Sequence, residues 1–131
     1  VTLMALSRAD EGLASFETAV RLQPDYAAAR LNLGQALATA RRMPEAVPHF
    51  TRAVELEPGN PRARLQLGTA LALQARYAEA LPHFEVAVSL EPESADSHLR
   101  LAMTLRALGR MADATSEYKE AIRLNPALDP R

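Results

Sequence analysis

Cysteine is absent from this 131-residue chain, which excludes disulfides, thiolate metal sites and cysteine nucleophiles. Aromatic residues reach only 5% and β-branched residues are few, so the composition leans away from sheet. No apolar stretch approaches the length that spans a bilayer, so membrane insertion is not expected. The net charge is -1 with no long basic run, which gives nucleic acid or an anionic membrane surface no electrostatic footprint. Glycine is scarce, and its five residues fall at helix contacts or turns, so no glycine-rich phosphate loop exists. Val1 to Leu6 lack the basic start and long apolar core of a signal peptide, and also an initiator Met. A fragment is therefore expected, and the compartment stays open, with the cytoplasm favoured.

What is present is alanine and leucine. Apolar residues make up 48% and charged residues 24%, as in a folded and not a disordered protein. Ala and Leu lose little on entering a helix. The Ala- and Arg-rich, Lys-poor composition suggests a bacterium with GC-rich DNA.

The dominant signal is internal repetition. Proline recurs at Pro24, Pro58, Pro92 and Pro126, a period of 34. The same period relates Leu22, Leu56, Leu90 and Leu124, and also Ala19, Ala53, Ala87 and Ala121. It relates Phe16, Phe50, Phe84 and Tyr118, the arginines Arg8, Arg42, Arg76 and Arg110, and the acids Glu11, Glu45, Glu79 and Asp113. Chance does not align six columns over four copies. The expected division is a partial repeat over 1–26, repeats over 27–60, 61–94 and 95–128, and a tail over 129–131. Only about half of the first helix of the partial repeat, Val1 to Leu6, is expected to survive.

Each repeat reads as two helices. In 27–60, Ala29, Leu33, Gly34, Ala36, Leu37 and Ala40 form one stripe of a helix from about Ala27 to Ala40. Arg41 to Met43 make a turn. A second stripe of Ala46, Val47, Phe50, Ala53, Val54 and Leu56 follows. This helix stops before Pro58, because the residue preceding a proline is disfavoured in the α region. Gly34, Gly68, Ala46 and Ala80 let the helices approach, while Phe50 and Phe84 fill the wider part. Pro48 and Pro82 fall near the starts of the second helices, where an intact and slightly bent helix is expected. One helix pair cannot bury its apolar face alone, so neighbours must stack. The expectation is an all-α α-solenoid of antiparallel helix pairs, a right-handed superhelix with its first helices lining a concave face.

The segments L-N-L-G-Q-A-L, E-A-V-P-H-F and A-V-E-L-E-P of 27–60, and L-Q-L-G-T-A-L, E-A-L-P-H-F and A-V-S-L-E-P of 61–94, resemble the tetratricopeptide repeat family. The resemblance covers nearly the whole chain. It departs locally: Arg30, Arg64 and His98 stand where the family often has Trp or another large apolar residue. Leu37, Leu71 and Leu105 stand where it often has a large aromatic one. Ala102 replaces the small glycine of the fourth unit, and Gly12 the usual alanine of the first. The family's chaperone-tail clamp uses Lys, Asn, Asn, Lys and Arg. The corresponding positions look like Leu31, Gln35, Gln66, Asp96 and Arg100, of which only Arg100 matches in type.

The resemblance implies a scaffold that binds a protein or peptide segment in the concave groove, with no catalytic residues, metal or cofactor. The groove residues expected to make contact are Asn32, Gln35, Arg62, Gln66, Thr69, Arg100, Met103 and Arg106. Leu31, Leu65 and Leu99 are expected to form an apolar row beside them. His49 and His83 are read as exposed residues of the second helices, not a metal pair, and His98 as packing between helices or touching the groove. The Arg8, Arg42, Arg76, Arg110 column is read as turn residues with nearby acids, not an anion ladder. Two alternatives remain: a targeting arm of a larger enzyme such as a glycosyltransferase, and a self-assembly element. The last helix and the tail Pro126–Arg131 carry no cap, so end-to-end association or exposed apolar surface is expected.

Overall fold

The computed structural model describes residues 3–131, with side chains from Asp10 onward. Val1, Thr2 and the side chain of Arg8 lie outside that description. Seven helices follow one another: α1 (Leu3–Leu22), α2 (Ala27–Thr39), α3 (Met43–Leu56), α4 (Pro61–Leu73), α5 (Tyr77–Leu90), α6 (Ala95–Ala107) and α7 (Met111–Leu124). A 3-10 turn, Pro126–Leu128, ends the chain. Among the described residues there is no strand. The fold class is that of all-α helical-repeat solenoids.

Two compact units divide the chain, Val1–Gln66 and Leu67–Arg131, with the boundary inside α4. In the first, α2 packs on both α1 and α3. In the second, α6 packs on both α5 and α7, and the 3-10 turn folds against α7. The Tyr118 hydroxyl ties this turn to α7, donating to the carbonyl of Leu128 at 3.0 Å.

The tight turns inside the helix pairs share one construction. After α2, the amide of Arg42 donates to the carbonyl of Leu37 at 2.8 Å and that of Arg41 to Ala38 at 3.0 Å. Arg76 with Leu71, and Arg110 with Leu105, repeat the wider bond, each at 2.9 Å. These bonds satisfy carbonyls that the helix end would otherwise orphan. They require one left-handed residue per turn: Arg41 at φ 63°, Ala75 at φ 59° and Gly109 at φ 81°. Only the third is a glycine.

By repeat arithmetic the corresponding turn residue of the first copy is Ser7. The repeat pattern predicts a break after Leu6; instead α1 runs unbroken from Leu3 to Leu22. The physical reason is local propensity: Ala5, Leu6, Arg8 and Ala9 are good helix formers and carry the helix through Ser7.

The glycines admit aromatic rings. A Cβ on Gly34 would lie 2.5 Å from Cε1 of Phe50, and one on Gly68 would lie 2.8 Å from Cε1 of Phe84. Both rings are only 1% exposed. In the last pair Ala102 occupies the glycine position, and its partner Tyr118 is half-buried and bonded to the tail. Pro48 and Pro82 leave α3 and α5 unbroken. Each is the sixth helical residue, beyond the first-turn donors. The helix therefore loses one i to i−4 bond, on an exposed side where water can reach the freed carbonyl.

Candidate functional site

The first helix of each pair, α2, α4 and α6, presents the residues singled out for binding. On the first unit, Asn32, Gln35 and Arg62 are exposed and Gln66 is half-buried. On the second, Met103 is 63% exposed, Arg106 is exposed, and Thr69 and Arg100 are half-buried. Arg100 is braced: its Nε donates to Asp96 Oδ2 at 2.9 Å and its Nη1 to the Thr69 hydroxyl at 3.0 Å. Thus Thr69 and Arg100 are in direct contact. Arg106 has no such partner among the described residues.

The expected apolar row needs correction. Leu31 is only 2% exposed, because its place on α2 turns it into the core of the first unit. Leu65 and Leu99 are half-buried. The exposed apolar groups on these helices are Leu73, at 69%, and Met103.

The Arg column is occupied locally. Arg42 grips Glu45 with two bonds, at 2.9 and 2.6 Å, Arg76 grips Glu79 at 3.2 and 2.6 Å, and Arg110 reaches Asp113 at 3.0 Å. The bond to Arg42 holds the Glu45 carboxyl below its ordinary pKa, and Arg76 does the same for Glu79. Each pair joins the residue before a second helix to that helix's first turn.

A second polar column was not legible as a network from the sequence. Arg30 and Arg64 donate from Nε to the carbonyls of Pro24 and Pro58, at 3.0 and 2.9 Å. His98 donates from Nε2 to Pro92 at 2.8 Å. Each ties a first helix to the proline turn before it. Arg30 also donates to Nδ1 of His49 at 3.2 Å, and Nδ1 of His98 donates to Glu117 Oε2 at 2.6 Å. The spacing of 19 residues to the second partner is the available signal, and the change of pair from Arg–His to His–Glu hides it.

His49 is therefore half-buried and bonded, not an exposed surface group. Burial, reinforced by the Arg30 charge, pushes its pKa down. His98 is 7% exposed. Burial opposes its charge, but the bonds to Glu117 and Pro92 outweigh that and raise its pKa. Both ring nitrogens face acceptors, which only the imidazolium satisfies.

The second unit also contains a cleft of about 580 Å³, between α6, α7 and the tail. Met103, Met111, Tyr118 and Ile122 line it with apolar atoms, and Arg106 and Lys119 stand in its wall. Met103 and Arg106, expected among the contacts, share this cleft with residues of α7, a pairing the repeat pattern does not reveal.

Among the described residues no group of three His, Cys, Asp or Glu side chains is placed to hold a metal ion. No described helix is long and apolar enough to cross a membrane.

Two tetratricopeptide repeat models match residues 2–61 and 61–125. Among solved structures, MamA MSR-1 is 25% identical, with 96% of this chain and 72% of that one covered and a TM-score of 0.80. YrrB, described as a TPR protein with an unusual peptide-binding site, is 27% identical, with coverage of 94% and 63% and a TM-score of 0.83. MamA 41-end from Desulfovibrio magneticus RS-1 is 23% identical, with coverage of 94% and 71%; its TM-score of 0.86 speaks to the fold. No curated protein matches.

Proposed function

The chain belongs to the tetratricopeptide repeat family, and from that premise we propose that it is a protein-interaction scaffold that takes a peptide or protein segment through the polar and cationic residues of its first helices. It acts by binding and not by catalysis, on protein and not nucleic acid. The observation that carries this reading is the set of donors that each unit presents on its first helices. Asn32, Gln35 and Arg62 leave amide and guanidinium donors in solvent, and Arg100, Met103 and Arg106 combine cations with an exposed thioether. Amide and Arg donors suit backbone and carboxylate groups, and apolar contacts add affinity. The peptide-binding site named for YrrB supports the same mode of action.

The test is selection of phage-displayed dodecapeptides on the full chain, followed by isothermal titration of the selected peptides. The double variant Asn32→Ala/Arg100→Ala should weaken binding by about tenfold or more. Unchanged affinity in that variant would remove these residues from the binding face. No enrichment of any peptide would count against the scaffold reading itself.

A further inference from the structure

Charge is sorted by helix class. The three first helices carry five arginines against a single acid, Asp96, and no glutamate. The three second helices carry seven acids against Arg52, Lys119 and Arg123. Most of these charges are already spent. Arg30 and Arg64 are tied to proline carbonyls, and Arg100 is braced by Asp96 and Thr69. Arg123 pairs with Glu120 and Arg52 with Asp25. In the second unit, Arg106 of α6 and Lys119 of α7 have no partner among the described residues, and both line the same 580 Å³ cleft. The one acid in its lining, Asp129, is held by Arg131 at 3.2 Å. Apolar residues share the lining: Met103 is 63% and Met111 55% exposed, and Tyr118 and Ile122 are half-buried.

We propose that this α6–α7 cleft docks an acidic, amphipathic segment of a partner protein, its carboxylates meeting Arg106 and Lys119 and a large apolar side chain seated on Met103, Met111 and Ile122. The inference rests on the scaffold reading and specifies the chemistry of its partner. Charge complementarity selects the occupant. Two unpaired cations in a cleft shared with flexible, polarisable methionines attract opposite charge and adapt to varied apolar shapes. Recognition runs through side-chain carboxylates within the segment, so amidation of its C-terminus leaves binding unchanged.

The same phage selection on the full chain tests this. Enriched peptides should be net negative, with Asp or Glu flanking Leu, Phe or Met. Titrated as acetylated, amidated synthetic peptides, they should lose about tenfold or more in affinity in Arg106→Glu/Lys119→Glu. They should lose about three- to tenfold in Met103→Ala and weaken as salt rises from low to physiological strength. Glu85→Gln on α5, away from the cleft, should change affinity less than about twofold. Enriched peptides that are neutral or basic, or that bind the double charge reversal equally well, overturn the proposal and leave the scaffold reading standing. Absence of any enriched peptide overturns both. Equal competition by a single-stranded oligonucleotide of matched charge overturns the protein-segment assignment. A concentration-dependent dimer in light scattering that the double variant abolishes would assign the cleft to a second copy and overturn it too.

Discussion

Gly34 and Phe50 act as one packing feature, since the ring lies where a Cβ on residue 34 would be. The ring is 1% exposed and cannot swing into solvent without repacking its neighbours. Gly34→Ala should therefore destabilise the chain by about 1–3 kcal/mol, despite alanine's better helix propensity. Urea denaturation checks this. The double variant Gly34→Ala/Phe50→Leu should cost less than the sum of the two single changes, because the smaller side chain vacates the clash. The last pair already carries such a compensation, with Ala102 opposite a half-buried Tyr118. The repetition of small and aromatic residues was legible in the sequence; their direct contact was not, because a column of identities carries no distances. For the same reason Leu31 looked equivalent to Leu65 and Leu99, and only burial separates it from them. The Arg30, Arg64 and His98 ties were harder still. Their first partner is a backbone carbonyl, which no side-chain pattern reveals.

At the scale of the element, helix boundaries follow local rules wherever a pair is complete. The 34-residue period, the prolines and the small-residue columns placed both helices of each pair within a few residues of where they lie. The period does not hold at α1, where good helix formers on both sides of Ser7 carry the helix through the expected turn. Two predictions belong here. Ala75 closes α4 at φ 59°, where a side chain is strained and glycine is not. Ala75→Gly should stabilise the protein by about 0.5–1 kcal/mol, net of glycine's larger entropy loss. Gly12 is the reverse case. It sits inside the unbroken α1, and a Cβ there would meet nothing within 4 Å. Gly12→Ala should raise stability by about 0.5–1 kcal/mol through propensity alone. A thermal melt that falls in either variant would contradict the corresponding account.

For the whole molecule, two of the three histidines, His98 and His49, answer pH in opposite directions. In Leu67–Arg131, His98 has a raised pKa in the folded state, from its bonds to Glu117 and Pro92 and the nearby Glu120, against the cost of burial. Its contribution is fully present below the unfolded value of about 6.5 and is lost as pH rises through the folded value. In Val1–Gln66, His49 has a lowered pKa, from burial and Arg30, with Glu17 opposing. Its contribution is present above about 6.5 and is lost as pH falls through the folded value. Histidines are the side chains that titrate in the ordinary way between about pH 5.5 and 8, so these two add opposing slopes of stability there. Chemical-shift titration of the imidazole protons should place the His98 midpoint above, and the His49 midpoint below, that of an unstructured histidine peptide. Urea midpoints at about pH 5.5, 6.5 and 8 should then separate the two sites. His98→Gln should remove the loss on the alkaline side and leave the acid side unchanged, because a neutral amide has no charge to lose. His49→Gln should flatten the acid side only. If His98 titrates at or below the peptide value, the imidazolium reading of its two bonds is wrong and Nδ1 or Nε2 is not a donor.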